Sequence, residues 1–397
     1  MSYGLRLVAA TDATNKGVEA VPEHQAFRPP RRSPLSAATL AIGLLLVACT
    51  PSAPSAPAPA PAAPKPTEAL KPAAAAPTAA PKPTAAPTPA AAQARPAREA
   101  LKLQLGWLKT GQQAGEFVAA EKGFYTAEAI DIEFITGGPT VSVIPVVVSG
   151  TASVGINGSS APLLTARKEG LPVRVIGATH DKAAQALTCR PDANIKSLTD
   201  LKGKKVGASQ PQRVNLEALF RLNNLAPEDV EIVTTGADMA SLLAGRIDCR
   251  TTNVHVEPVS LRLQGIEPDV LLNYDYGLRQ QGDMFFVTDE TAKNKPDLLA
   301  RFLRATAKGW EYALDNPDEA AKITVEKYAP DLDLAETVAT IKATKPLMVT
   351  DRTARSGLLS LDEEAWKQTI GELVRVGILP AGFSTADILD LSIYKKP

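Results

Sequence analysis

The sequence predicts an α/β protein with mostly parallel sheets over its last 300 or so residues, followed by a helical C-terminal part. Three observations carry that expectation. Short strands with alternating or all-apolar patterning recur along the chain. A helix-length apolar segment follows most of them and closes on glycine. After about residue 290 the two-residue period disappears and only helical stripes remain.

The elements follow in order. Leu101-Lys-Leu-Gln-Leu105 alternates and reads as a strand. Gly115 to Lys122 reads as a helix capped by Gly123. Ile130-Asp-Ile-Glu-Phe-Ile135 alternates again, and Pro139 to Ser149 reads as a short helix that Pro145 would kink. Ser153-Val-Gly-Ile156, the helix Ser160–Glu169 and the strand starting at Val173 continue the rhythm. Near Gln185 it resets, and residues 188–282 read as a second α/β unit inserted into the first. Within that unit, helix Leu216–Asn224 and strands Val230–Thr234 and Arg246–Thr252 are expected; Met284-Phe-Phe-Val287 returns to the first unit. Leu299, Phe302, Leu303, Thr306, Trp310 and Leu314 share one face of a helix opened by Pro296. Asn316-Pro317 reads as a helix start, and Ser360-Leu-Asp-Glu363 reads as a capping box. Trp366, Ile370, Leu373 and Val374 line the helix that follows, and these aromatic residues are expected in the core.

Ahead of this part lie two segments of different character. Arg28, Arg31 and Arg32 precede an apolar stretch that ends Leu46-Val47-Ala48-Cys49. A basic region, about a dozen apolar residues and a small residue before the cut describe a secretory signal. The cysteine that follows at once resembles the lipobox of bacterial lipoproteins, which implies lipidation of Cys49 and a membrane anchor. Residues 1–27 sit oddly before the basic region, and translation is expected to begin nearer Arg28. Residues 50–99 then form a Pro/Ala-rich tether holding 14 of the 33 prolines and one large aliphatic residue, Leu70. Such a segment has too little apolar surface to offset the entropy of ordering, and frequent proline extends it.

The whole chain has no net charge, and residues 100–397 hold 33 basic and 38 acidic side chains. That balance gives no basic face for nucleic acid. No run of about 20 apolar residues occurs, so no span is expected. Only His24, His180 and His255 occur, without metal-ligand spacing, and there is no GxSxG, Walker A or GxGxxG motif; no metal, no cofactor and no enzyme activity is expected. Cys189 and Cys249 can pair in an oxidising compartment or remain two buried thiols.

Several blocks carry a family resemblance: Gly106-Trp107, Gly115-Glu-Phe-Val-Ala-Ala-Glu-Lys-Gly-Phe-Tyr125, Val148-Ser-Gly-Thr-Ala-Ser-Val-Gly155, Arg167-Lys-Glu-Gly-Leu-Pro-Val173 and Ile195-Lys-Ser-Leu-Thr-Asp-Leu-Lys-Gly-Lys-Lys-Val-Gly207. Together they resemble the substrate-binding proteins of ABC transporters, in the class that binds nitrate, sulfonates and thiamine-pyrimidine precursors. The resemblance implies a two-lobe periplasmic binding protein type 2 fold with two crossover strands. Lobe 1 would hold residues 100–187 and 284–397, lobe 2 residues 188–283, with crossovers near Leu187–Arg190 and Gly282–Val287. It also implies an ABC permease as partner, an extracytoplasmic monomer, and a small-molecule ligand. A pyrimidine-precursor-like heterocycle is favoured and a sulfonate or other small anion comes next. An enzyme of the same fold that forms the pyrimidine, using a cysteine-rich iron site, and a ligand sensor for a membrane signalling partner are the alternatives.

Ligands of open α/β sheets lie beyond the carboxyl ends of strands, which selects the loops there. After the first strand come Trp107, Thr110, Gln112, Gln113 and Glu116. Trp107 can stack on a flat ligand or pack between lobes. Gln112 and Gln113 suit a neutral heterocycle, and pyrimidine-type relatives carry polar pocket residues there. Glu116 can serve a helix dipole or an amine-bearing ligand. Asn157-Gly158-Ser159-Ser160 opens a helix, fit for an anion or for ordinary capping. In the second unit the candidates are Gln210, then Asn253, His255 and Glu257, which alternate, and Tyr274 as part of an aromatic lid.

Overall fold

Two five-stranded sheets organise the molecule, and they share one strand order. The computed structural model describes residues 97–394 apart from 139, 237, 238 and 376, and leaves the side chains of 210, 211 and 214 undescribed. The expected leader, Cys49 and nearly all of the expected tether therefore lie outside the described residues.

The first sheet contains β1 (Glu99–Gln104), β2 (Ile130–Ile135), β3 (Val154–Asn157), β4 (Val173–His180) and β10 (Gly282–Thr288), ordered β2-β1-β3-β10-β4. The second contains β5 (Gln185–Cys189), β6 (Lys205–Ala208), β7 (Glu231–Thr234), β8 (Cys249–Asn253) and β9 (Asp269–Leu272), ordered β7-β6-β8-β5-β9. Between these strands run α1 (Ala114–Glu121), α2 (Phe124–Ala127), α3 (Val143–Val148), α4 (Ser160–Lys168), α5 (Gln210–Leu222), α6 (Ala240–Leu243) and α7 (Glu257–Leu263). After β10 come α8 (Asp289–Asn294), α9 (Pro296–Asp315), α10 (Pro317–Ile323), α11 (Leu334–Met348), α12 (Asp351–Ser356), α13 (Glu363–Arg375) and α14 (Thr385–Ile388).

The sheets are mixed rather than mostly parallel. β1 pairs in parallel with β2 and β3, and β6 with β7 and β8. β10 runs antiparallel to β3 and β4, and β5 antiparallel to β8 and β9. The reason is connectivity: each of these two strands enters its sheet directly from the other one. The chain crosses over residues 181–184 and 277–281, a few residues ahead of the expected crossovers. α3 is shorter than expected, starting at Val143 after Ser142, while α8, α11 and α12 answer to no sequence expectation. α13 is capped by Asp362, whose Oδ1 accepts the Ala365 N–H at 3.2 Å, rather than by Ser360, which bonds the Gly357 carbonyl.

Both faces of the first sheet are covered. Leu101, Phe117, Phe285, Phe302 and Trp310 pack on one side, and Val147, Leu163, Phe286, Trp366 and Ile388 on the other. The apolar stripe of α9 is buried as its spacing predicts. It lies against α1 at a distance only glycine permits. A Cβ on Gly115 would stand 2.2 Å from the Trp310 ring, and one on Gly309 would stand 2.1 Å from the Gly115 carbonyl oxygen. This close crossing seats the first turn of α1 between the sheet and α9. The second sheet packs a smaller core, with Leu187, Val206, Leu219, Phe220 and Leu271. Cys189 and Cys249 face each other in the β5–β8 pair and are joined as a disulfide, so the alternative of two buried thiols is not the one realised.

Candidate functional site

The strand ends of the two sheets meet at a polar cavity of about 130 Å³. Gln112, Gly158, His180 and Asp283 line it from the first sheet's side; Gln185, Gln212, Asn253 and His255 line it from the second, with Ala184 of the crossing segment. His180 ends β4 and is 2% exposed; His255 follows β8 and is 1% exposed. Their rings meet edge to face with centroids 5.1 Å apart. His180 Nδ1 lies 3.5 Å from an oxygen of Asp283. His180 Nε2 and both ring nitrogens of His255 have no hydrogen-bond partner among the described residues. Buried polar atoms rarely go unpaired, so this group is equipped to receive a ligand's donors and acceptors.

Burial sets the charge state. It pushes His180 down to about 4 and His255 down to about 3, the latter helped by His180. It pushes Asp283 up to about 6, against the pull of His255. Near pH 7 the imidazoles are therefore neutral, and Asp283 is mostly a carboxylate. Asp283 also holds φ of 49°, a left-handed conformation that costs an L-residue about 1–2 kcal/mol. Neither lysine nor arginine lines the cavity. Among the described residues no group of three or more His, Cys, Asp or Glu is placed to hold a metal ion.

Of the sequence candidates, Gln112, Gly158, Asn253 and His255 are brought together on this wall. A Cβ on Gly158 would stand 3.4 Å from an Asp283 oxygen, so the glycine lets chain and carboxylate approach. Glu116 sits 1% exposed with Oε2 unpartnered, and burial pushes it up to about 8. It does not line the cavity, though the Asp283 charge reaches it. Thr110 and Gln113 cap each other: the Thr110 N–H donates to Gln113 Oε1 at 3.1 Å, and the Gln112 N–H to Thr110 Oγ1 at 3.3 Å. Trp107 stands 40% exposed, away from the cavity. Asn157 donates to the Ser159 carbonyl, Ser159 precedes α4, and buried Ser160 lines a narrow void with Gln280, Trp366 and Thr369. Glu257 accepts the Asn253 N–H at 2.9 Å, which orders the loop, and it is not among the residues lining the cavity. Tyr274 lies elsewhere, under the ammonium of Lys182. Gln210 opens α5, and its side chain is among those undescribed.

The sequence reading missed His180, Gln185, Gln212 and Asp283. His180 was findable, because it ends β4, which runs in the same direction as β1 and β3. Gln185 and Asp283 were not, because they begin β5 and β10; an antiparallel strand turns its amino end to the crevice, and the carboxyl-end rule looks at the wrong terminus. Gln212 is pinned by its oxygen, which accepts from Thr251 Oγ1 at 2.8 Å and from Ser209 Oγ at 2.8 Å.

Comparison with known proteins agrees with this layout. The family model described as NMT1/THI5 like matches residues 110–320. Riboflavin-binding protein RibY of Chloroflexus aurantiacus is 28% identical over 353 residues, covering 85% of this chain and 91% of that protein. The formylaminopyrimidine-binding protein of Halalkalibacterium halodurans is 24% identical over 236 residues, covering 57% and 70%. Among solved structures, the alkanesulfonate-binding protein SsuA from Xanthomonas axonopodis pv. citri, bound to MOPS, superposes with a TM-score of 0.56 at 16% identity, over 75% of this chain and 99% of that one. The fold is thus that of the type 2 periplasmic binding proteins.

Proposed function

The chain belongs to the NMT1/THI5-like family, and on that premise we propose that it is the solute-binding protein of an ABC importer, selective for an uncharged or amine-bearing aromatic heterocycle. The observation that carries the ligand class is the charge of the cavity. Two neutral imidazoles, three carboxamides besides Gln112, and one carboxylate line it, and no cationic side chain does. A sulfonate or nitrate would meet the Asp283 carboxylate with nothing to balance its own charge. A pyrimidine or flavin-type ring presents N–H donors and ring-nitrogen or carbonyl acceptors, which match carboxylate, imidazole and amide groups. The names of RibY and of the formylaminopyrimidine-binding protein support the same class.

The mechanism is hinge closure. Ligand bridging Asp283 and His180 on one side to Asn253 and His255 on the other gains contacts only when the two sheets close, so binding shifts the population toward the closed form that a permease reads. Residues 181–184 and 277–281 are the hinge. A signal ending at Cys49 and the Pro/Ala-rich stretch after it support export, lipid anchoring and a tethered monomer. The protein returns its ligand unchanged, unlike an enzyme of this fold.

A thermal-shift screen with aminopyrimidines, riboflavin, alkanesulfonates and nitrate tests the reading. A heterocycle is expected to raise the melting temperature, and the anions are expected to leave it unmoved. Stabilisation by a sulfonate or nitrate alone would overturn the ligand class, and chemical conversion of the bound heterocycle would overturn the transport role.

A further inference from the structure

A second cavity, of about 350 Å³, lies between α4, α5 and α13, with the second crossing segment at its wall. It shares no lining residue with the cleft cavity. Its volume falls in the range of sites that enclose small organic ligands. The surface is mainly apolar, formed by Leu164, Ala218, Leu222, Leu278, Leu373 and Ile378.

Two polar features break that surface. Gln280 also lines the cavity; it is 6% exposed, and its carboxamide oxygen has no hydrogen-bond partner among the described residues. Buried acceptors are rarely left unpaired, so this oxygen has capacity for one more donor. Arg221 and Arg375, in the last turns of α5 and α13, line the cavity too. Neither forms an ion pair among the described residues, whereas the neighbouring Glu217 is engaged by Arg213 at 2.8 Å. The remaining acid, Glu372, is raised by burial and held down by Gln368 and by the charge of Arg375. The cavity is therefore mainly apolar, with an acceptor at Gln280 and, once Arg213 is set against Glu217, one positive charge in excess among Arg221, Arg375 and Glu372.

We infer that this flank cavity is a second binding site, built for an amphipathic small molecule with a flat apolar body, one N–H or O–H donor and an anionic end. The rings lie along the leucines, the donor meets the Gln280 oxygen, and the anion lies by Arg221 and Arg375. Such a ligand differs in kind from the cationic or neutral heterocycle that suits the cleft, so the two sites discriminate by charge.

The dye 1-anilinonaphthalene-8-sulfonate has these three features and serves as the probe, titrated into the full-length protein by fluorescence. One saturable site is expected. Ala218→Trp, which plugs the cavity, is expected to weaken the dye at least tenfold, while Asp283→Asn in the cleft leaves its affinity within twofold. If Ala218→Trp does not fold, Gln280→Leu, which deletes the acceptor at similar volume, is expected to weaken the dye at least fivefold. Fluorescence without saturation, unchanged affinity in the folded plugged variant or in Gln280→Leu, or loss of the dye with Asp283→Asn would each overturn the assignment.

Discussion

The two sheets have one topology and unequal support. In each, an antiparallel strand arriving from the other sheet is inserted between the third and fourth strands of a local run, β10 in the first and β5 in the second. The first sheet is packed on both faces and locked by the α1–α9 glycine crossing. The second has a smaller core and an edge strand, β7, with exposed ends. It carries the disulfide instead, placed between its inserted strand and β8. A small core buries too little surface to be stable with ease, and a covalent link across a 60-residue separation compensates by constraining the unfolded chain. The comparison shows one scaffold stabilised in two ways, by packing where there is chain to spare and by a crosslink where there is not.

The sharpest way to break that comparison is to injure each side alone. Trp310→Ala opens a cavity under the α1–α9 crossing and is expected to cost about 3–5 kcal/mol, read by denaturant melting. Amide exchange should rise in β1 and β3 before β6. Replacing both Cys189 and Cys249 by Ser is expected to cost about 4 kcal/mol, with faster exchange confined first to β5, β6 and β8. Equal losses in both sheets from either change would show that they unfold as one unit.

Electrostatics sharpen the picture further. Glu116 lies at about 8 in the folded protein and 4.5 unfolded, so the folded state holds the proton more tightly. Its contribution is complete below pH 4.5 and is lost as pH rises toward 8. Glu116→Gln is therefore expected to stabilise the protein by about 3 kcal/mol at pH 7 and to make no difference near pH 4. His180 and His255 act in the opposite sense, since their folded values of about 4 and about 3 lie below 6.5; they withdraw stability as pH falls from 6.5. A flat difference between wild type and Glu116→Gln across pH 4–8 would contradict the buried carboxyl. The smallest effect belongs to the cleft. Asp283→Asn is expected to weaken the best heterocycle about tenfold, or about 1.4 kcal/mol, in calorimetry. Wild-type affinity should fall as pH drops through about 6, where Asp283 takes up a proton.

The elements legible beforehand were those that carry their own signal. The period-two runs at 101–105 and 130–135 are β1 and β2, and the buried stripe from Leu299 to Leu314 is α9. α11 was missed although Asp333 caps it, its Oδ1 accepting the Glu336 N–H at 2.7 Å, because half of its buried face is threonine and the apolar period is weak. At the site, His255 and Gln112 followed from strand-end position, while Glu257, Thr110 and Gln113 bond the backbone of the loops on which cavity-lining groups sit. Polar residues near a strand end look alike in sequence, whether they cap a backbone or face a cavity.

What the sequence determined alone was local and one-dimensional: the alternation of strand and helix, the change to an all-helical end, the apolar run before Cys49 and the proline-rich stretch after it, and a family likeness spread over ordered blocks. Tertiary structure decided what depends on distant segments meeting. It turned β5 and β10 antiparallel, joined Cys189 to Cys249, buried Glu116 and brought His180, His255 and Asp283 together from three separate segments. Periodicity reports the face that a residue turns to its neighbours. Partners and charge states come from desolvation and contact across the fold, which no local window of sequence contains.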